Sequence, residues 1–182
     1  EADFRASVVQ AADYARVLHC ATLHCMSGIE PVGEAPAQTL ARYVDNLRFA
    51  ADRLGAQGIT VTIEPINTRI DMPGYWLNSV ERALDVLAEI DRPNVKLQLD
   101  LYHAHVMGND VARVLAQCAG QIAHLQIADY PGRHEPGSGE IPCAALFAQI
   151  DASGYSGWVG CEYRPRTLTE AGLGWLHDLA AA

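Results

Sequence analysis

The sequence predicts an α/β fold in which helices cover a parallel sheet. Segments with the apolar spacing of helices alternate along the chain with short runs rich in Val, Ile, Leu and Thr. No two strands are separated by a two-residue turn of the hairpin type, so each strand should connect to the next through a helix. The pattern predicts five strands and six helices.

Five elements are predicted in the first half of the chain. Residues 3–18 have helical apolar spacing, and the β-prone run 21–26 follows at once. Residues 40–54 form a second helical stripe, which glycines separate from the strand 59–63. A third helix over residues 78–90 begins with a capping-box pattern, Asn78 followed by Glu81.

The second half continues the alternation. Residues 95–99 form a strand, Asn109 or Asp110 caps a helix that runs to Cys118, and residues 122–127 form the fourth strand. A turn-rich loop is predicted over residues 129–142.

The last predicted elements are a helix at 144–153 and a strand at 158–161. Thr167 with Glu170 forms a capping-box pattern for a final helix.

The composition limits the classes of protein to which the chain can belong. The chain has 182 residues, 49% of them hydrophobic, and we interpret it as one domain, 1–182. The net charge of -9 disfavours nucleic acid and anionic membranes as partners, and no apolar stretch is long enough to span a bilayer. Five scattered cysteines without a C-x-x-C pair favour reduced thiols and a cytoplasmic location.

A closed (β/α)8 barrel normally needs about 250 residues. The chain begins on a helix and supplies five strands, so a barrel interpretation implies that about three N-terminal strands are missing. Two open sheet edges would then favour aggregation, domain swapping, homo-oligomer formation or association with a missing piece. Neither a G-x-G-x-x-G motif nor a P-loop is present, which disfavours the nucleotide-binding folds.

Four strands end in a residue with a side-chain oxygen. These residues are Glu64, Asp100, Gln126 and Glu162, spaced 36, 26 and 36 residues apart, about one βα unit per step. Any one of them could simply be satisfied by backbone amides or an arginine. Together they form a hard oxygen set that suits Mg²⁺ or Mn²⁺ better than Zn²⁺. The sequence therefore predicts a divalent metal site at the carboxyl ends of the strands.

Five segments resemble those of the hydroxypyruvate isomerases: IEPINTR (63–69), DMPGYWLN (71–78), LQLDLYH (97–103), HLQIADYPGRHEPGSGEI (124–141) and GWVGCEYRP (157–165). That family belongs to the xylose isomerase-like TIM barrels, and the likeness spans nearly the whole chain. The resemblance implies a TIM barrel, here partial with about five parallel strands, and an aldose–ketose isomerase that converts hydroxypyruvate to tartronate semialdehyde.

The resemblance also implies roles for six residues. Glu64 and Glu162 would be the acid/base pair and, with Asp100 and Gln126, the metal ligands. His103 and Arg133 would lie beside the substrate. Two structural roles stay open: His103 could orient other groups from behind the site, and Arg133 could belong to a solvated loop.

The isomerisation reaction itself requires the same kinds of groups. Proton transfer between adjacent carbons of a hydroxy-ketone passes through an enediolate, whose charge a divalent cation stabilises while two carboxylates handle the proton. Alternative functions are a 2-oxo-tetronate isomerase or a related sugar epimerase. From other classes, an inactive barrel fragment that serves only in assembly, or a metal-dependent endonuclease relative that acts on abasic DNA, also remain.

Overall fold

The computed structural model of the protein describes residues 2–180. Five strands form one sheet whose order follows the chain: β1 (Thr22–His24), β2 (Thr60–Ile63), β3 (Val95–Asp100), β4 (Ile122–Ile127) and β5 (Val159–Cys161). The pairs β1–β2, β2–β3 and β4–β5 are parallel, as expected when a helix connects each strand to the next. The prediction of an α/β fold with five parallel strands is confirmed.

Helices fill the connections. Within residues 2–180 they are α1 (Ala2–Leu18), α2 (Pro36–Gly55), α3 (Val80–Ile90), α4 (Leu101–Val106), α5 (Val111–Cys118), α6 (Cys143–Ala152) and α7 (Gly174–Ala180), with 3₁₀ turns at Ala119–Gln121 and Glu170–Gly172. None of these helices combines the length and the apolar composition that a membrane-spanning segment needs.

The chain divides into two compact units, Glu1–Gln98 and Leu99–Ala182. We call them the N-terminal unit and the C-terminal unit, and each is described by itself. Strand β3 contributes residues to both units. The interpretation of residues 1–182 as a single domain stays a prediction.

In the N-terminal unit the strand register separates an apolar face from a polar face. His24 pairs with Thr62, and Ile63 pairs with Leu97. Because side chains alternate along a strand, Ile63 and Leu97 lie on one face, where both are fully buried. Helix α2 packs against β2 and contributes Leu47 to this core. The opposite face carries His24, Thr62 and, just beyond the strand, Glu64.

The C-terminal unit repeats this division. Leu125 and Ile127 of β4 are fully buried. Gln126 points the other way and pairs with Gly160 of β5, two residues before Glu162. The alternation thus puts Gln126 and Glu162 on one face of the two strands.

Helix starts differ from the predicted ones in two places. Helix α3 is capped by Ser79, whose Oγ accepts a hydrogen bond from the backbone N–H of Arg82 at 3.2 Å, so the predicted Asn78 cap is wrong by one residue. The Thr167 cap is also wrong, because the segment forms only a 3₁₀ turn before α7 begins at Gly174. Both errors arise because several adjacent polar residues could cap and packing selects one.

One further helix start agrees with the prediction, and one helix was not predicted. Asp110 caps α5 by accepting a hydrogen bond from the N–H of Arg113 at 3.1 Å. Helix α4 was not predicted, since its six residues follow β3 without a break. Asp100 caps it by accepting a hydrogen bond from the N–H of Tyr102 at 2.9 Å. One predicted metal ligand thus also starts a helix.

Candidate active site

The predicted site residues belong to two groups of side chains, one in each unit. We call His24, Thr62, Glu64 and Gln98 the N-terminal cluster. We call Asp100, His103, Gln126, Arg133 and Glu162 the C-terminal cluster. Sequence reasoning identified Glu64 in the first cluster and every member of the second.

In the N-terminal cluster a buried carboxylate accepts a hydrogen bond from a neutral amide. Glu64, only 3% exposed, directly follows β2. Gln98 Nε2 donates to Glu64 Oε2 at 3.1 Å. Thr62 Oγ1 in turn donates to Gln98 Oε1 at 3.2 Å. Both Thr62 and Gln98 are buried, so this chain of hydrogen bonds lies out of contact with bulk water.

His24 lies beside the same carboxylate. Its Nδ1 is 3.6 Å from Glu64 Oε2, and burial lowers the pKa of His24 to about 4. The ring is therefore neutral at pH 7, and its contact with Glu64 is not an ion pair. Within residues 2–180 the Nε2 of His24 has no hydrogen-bond partner. Sequence reasoning did not identify His24 as part of a site.

The loop after Glu64 is ordered by Asn67, which is fully buried. Its Oδ1 accepts hydrogen bonds from the backbone N–H groups of Ile70 at 3.0 Å and Asp71 at 3.1 Å. Its Nδ2 donates to Asp71 Oδ2 at 2.6 Å. An Asn side chain that bonds the next turn is a common way to fix a loop, and here it fixes the backbone that follows Glu64.

In the C-terminal cluster two carboxylates face one guanidinium. Arg133 Nη2 lies 3.3 Å from Asp100 Oδ2 and 3.1 Å from Glu162 Oε2. Gln126 Nε2 donates to the same Glu162 oxygen at 2.6 Å. The side chain of Glu162 is 57% exposed whereas that of Asp100 is fully buried, so the cluster extends from the interior to the surface.

Burial raises the pKa of Asp100 to about 7, and the charge of Arg133 opposes that rise. His103 Nε2 lies 3.6 Å from Asp100 Oδ2, and His103 is itself buried. This contact shows that His103 adjoins Asp100, which is compatible both with binding substrate and with orienting the carboxylate.

The loop that carries Arg133 is organised around Asp129. The Asp129 carboxylate is fully buried and accepts hydrogen bonds from the backbone N–H groups of Tyr130 at 2.7 Å, Gly139 at 2.8 Å and Ile141 at 2.9 Å. Sequence reasoning missed Asp129, although an acidic residue directly after a strand and before turn residues is a usable signal.

The backbone of Arg133 is also constrained. It adopts a left-handed conformation with φ of 57° after Gly132 at 95°, and its carbonyl accepts a hydrogen bond from the N–H of Arg164 at 2.6 Å. The side chain of Arg133 is only 12% exposed. Arg133 therefore belongs to an ordered loop and not to a solvated one.

The donor set fits a hard divalent cation. Asp100 and Glu162 supply carboxylate oxygens to one positively charged group, and Gln126 adds an amide with an oxygen of its own. A buried carboxylate such as that of Asp100 requires a positive partner when it is ionised. Arg133 provides that charge in the structure, and a divalent cation would satisfy the same oxygens.

Comparison with known proteins identifies the class to which this fold and these residues belong. The family model described as Xylose isomerase-like TIM barrel matches residues 1–179. A crystal structure described as AP endonuclease, family 2, from Brucella melitensis superposes with a TM-score of 0.94 at 46% identity, covering 98% of this chain and 68% of that one. The chain belongs to the xylose isomerase-like TIM barrel family.

Within that family the chain is similar to named isomerases. It is 48% identical over 176 residues to a 2-oxo-tetronate isomerase of Cupriavidus necator and 44% identical over 176 residues to a hydroxypyruvate isomerase of Escherichia coli. Each match covers 97% of this chain, and 67% and 68% of the two relatives. The predicted kinship with hydroxypyruvate isomerases is confirmed, for a chain that spans about two thirds of these relatives' length.

Proposed function

We propose that the complete protein is an aldose–ketose isomerase of small oxo acids that interconverts hydroxypyruvate and tartronate semialdehyde. One observation carries the proposal: the buried carboxylate of Glu64 is held at the end of β2 in a chain 44% identical to a hydroxypyruvate isomerase. Isomerisation requires a fixed carboxylate that accepts and returns a proton.

The predicted metal ligands are Glu64, Asp100, Gln126 and Glu162. Support comes from the C-terminal unit, where Asp100 and Glu162 face one guanidinium and Gln126 bonds Glu162. A cation held by these residues, Mg²⁺ or Mn²⁺, would supply positive charge that stabilises the negative charge developing on the substrate.

Glu64 and Glu162 are the proposed proton-transfer groups. One removes a proton from C3 of hydroxypyruvate, and a proton is returned at C2. The hydroxyl proton moves from the oxygen on C3 to the oxygen on C2, so the atoms balance and no external oxidant is needed. Which glutamate acts first is left open.

Arg133 and His103 are the proposed substrate-binding residues. The guanidinium of Arg133 already bonds two carboxylates, and the carboxylate of an oxo acid presents the same oxygen pair. His103 is a buried neighbour of Asp100 and could donate to a substrate hydroxyl from the same side.

Two alternatives differ in substrate. A 2-oxo-tetronate would undergo the same chemistry with one more carbon, and 48% identity to a 2-oxo-tetronate isomerase supports it. The Brucella relative's description favours abasic DNA as a second class of substrate. The net charge of -9 and the carboxylate and amide donors argue against phosphate contacts.

The predicted cytoplasmic location and self-association stay predictions.

The deciding experiment follows solvent deuterium by NMR. The complete protein is stripped of metal, supplied with Mg²⁺ or Mn²⁺, and incubated in D₂O with hydroxypyruvate or a 2-oxo-tetronate. We expect deuterium in the recovered substrate and in the aldehyde product, and no exchange with chelator present. Incision of an abasic-site duplex, without exchange into either acid, would overturn the proposal in favour of the endonuclease.

A further inference from the structure

The N-terminal cluster contains a buried polar path that the proposed chemistry does not yet use. It runs from Thr62 through Gln98 to Glu64. Thr62 and Gln98 come from neighbouring strands, β2 and β3, and the Thr62 side chain is fully buried. Buried polar groups are costly unless each is bonded, so a path of this kind fixes the orientation of its members.

The Gln98 amide is the directional element of the path. A primary amide has an accepting oxygen at one end and a donating nitrogen at the other. The Thr62 hydroxyl donates to Gln98 Oε1 at 3.2 Å, which leaves Nε2 directed at Glu64 Oε2, 3.1 Å away. The reverse orientation would place the amide oxygen against a carboxylate and would lose the hydrogen bond to Glu64.

We propose that Thr62 is a positioning residue for isomerisation, which acts through the Gln98 amide to hold the Glu64 carboxylate in its reactive orientation. The inference rests on the proposed role of Glu64. Thr62 is fully buried and bonds the Gln98 amide, so its effect on Glu64 passes through Gln98. A reacting carboxylate misplaced by a fraction of an ångström loses rate, because proton transfer depends steeply on geometry.

The test uses the complete protein and the variants Thr62→Val and Thr62→Ser. Valine preserves the shape and removes the hydroxyl, whereas serine retains it. We expect kcat for hydroxypyruvate to fall about tenfold in Thr62→Val with KM within about twofold, and Thr62→Ser to recover most of the rate. Thr60→Val, which makes the same change two residues earlier on β2, is expected to leave kcat unchanged.

A double-mutant cycle separates positioning from general destabilisation. Gln98→Met removes the amide with little change in volume. If Thr62 acts through Gln98, adding Thr62→Val to Gln98→Met lowers kcat no further. An unchanged kcat in Thr62→Val, or an equal tenfold loss in both backgrounds, would overturn the inference.

NMR of the Gln98 side-chain amide tests the Thr62–Gln98–Glu64 hydrogen bonds independently of isomerase activity. In the parent protein its two N–H protons are expected to exchange slowly with solvent, and faster in Thr62→Val. If this behaviour is seen in a protein that isomerises neither acid, the proposed function fails while the Thr62–Gln98–Glu64 path stands. If the two proteins exchange alike, the path is wrong whatever the activity.

Discussion

The two clusters hold their carboxylates by different means. Glu64 in the N-terminal cluster receives a neutral amide hydrogen bond and lies beside a neutral histidine. Asp100 in the C-terminal cluster faces the charged guanidinium of Arg133, which it shares with Glu162. Neutral donors orient a carboxylate without compensating its charge, whereas a cation compensates it.

This difference predicts that the two clusters respond differently to substitution. The neutral amide of Gln98 orients the Glu64 carboxylate, which suits a group that must be held in place to transfer a proton. A buried carboxylate paired with a cation is costly to strip of that cation, which suits binding of positive charge. The comparison predicts that losing the partner of a buried carboxylate costs more stability in the C-terminal cluster than in the N-terminal cluster.

The largest expected effect is on isomerisation. In the complete protein, Glu64→Gln and Glu162→Gln should each keep the fold and lower the rate of deuterium exchange by a factor on the order of 10² or more, because an amide keeps an oxygen but cannot carry the proton. His103→Ala should lower it less. Full exchange in either glutamine variant would remove that residue from the acid/base pair.

The next effect is on stability, and it compares the two clusters directly. Arg133→Met leaves the buried Asp100 without its cation, so the free energy of unfolding should fall by about 3 kcal/mol. Gln98→Met removes a neutral donor and should cost about 1–2 kcal/mol. Urea denaturation at pH 8 with chelator present measures both. Equal losses would contradict the proposed difference between the clusters.

A smaller effect is expected at the loop that carries Arg133. Asp129→Asn places an N–H₂ group against backbone donors that now bond the carboxylate, so the protein should lose about 2 kcal/mol of stability. Thermal denaturation measures the loss. Asp151→Asn, an exposed change in α6, serves as the control and should fall within about 0.5 kcal/mol of the parent. A matching loss in both variants would argue against Asp129 as the loop's anchor.

The smallest effect concerns two thiols, one in each unit. Burial raises the pKa of Cys25 and of Cys143 to about 11, so both stay protonated at pH 8 and ionise only as the pH rises toward 11. Iodoacetamide labelling, followed by peptide mass spectrometry, should accelerate about tenfold per pH unit from 8 to 10.

Asp129→Asn sharpens this last test. Cys143 Sγ lies 3.9 Å from Asp129 Oδ2, so the substitution should speed labelling of Cys143 and leave that of Cys25 unchanged. Rapid labelling of both thiols at pH 8 in the parent protein would show that neither is protected by burial. Exposed Cys20 reports the reactivity of the reagent at each pH.

Much of the fold was predictable because it depends on local periodicity. Strand β4 matches its predicted residues 122–127, and β2 differs by one residue from the predicted 59–63. The strand β1 is shorter than predicted, since only Thr22–His24 pairs with β2. Strand ends depend on which residues find a partner, which the sequence of one strand does not encode.

The site was predictable in part for a similar reason. Glu64, Asp100, Gln126 and Glu162 could be proposed from the sequence because each follows or ends a strand of the predicted parallel sheet. Gln98 was missed because its role depends on Thr62, 36 residues away on the neighbouring strand. Asp129 was missed although its partners, such as Ile141, follow it in the same loop. The roles assigned to the site residues stay predictions that the variants above test.

By itself the sequence determined the alternation of helices and strands, the faces of each strand and the family, because each follows from short-range periodicity or from contiguous motifs. Only the tertiary structure decided which neighbours each carboxylate meets. A neutral amide faces Glu64 and a guanidinium faces Asp100, since hydrogen-bond partners are selected by packing between elements that are distant in sequence.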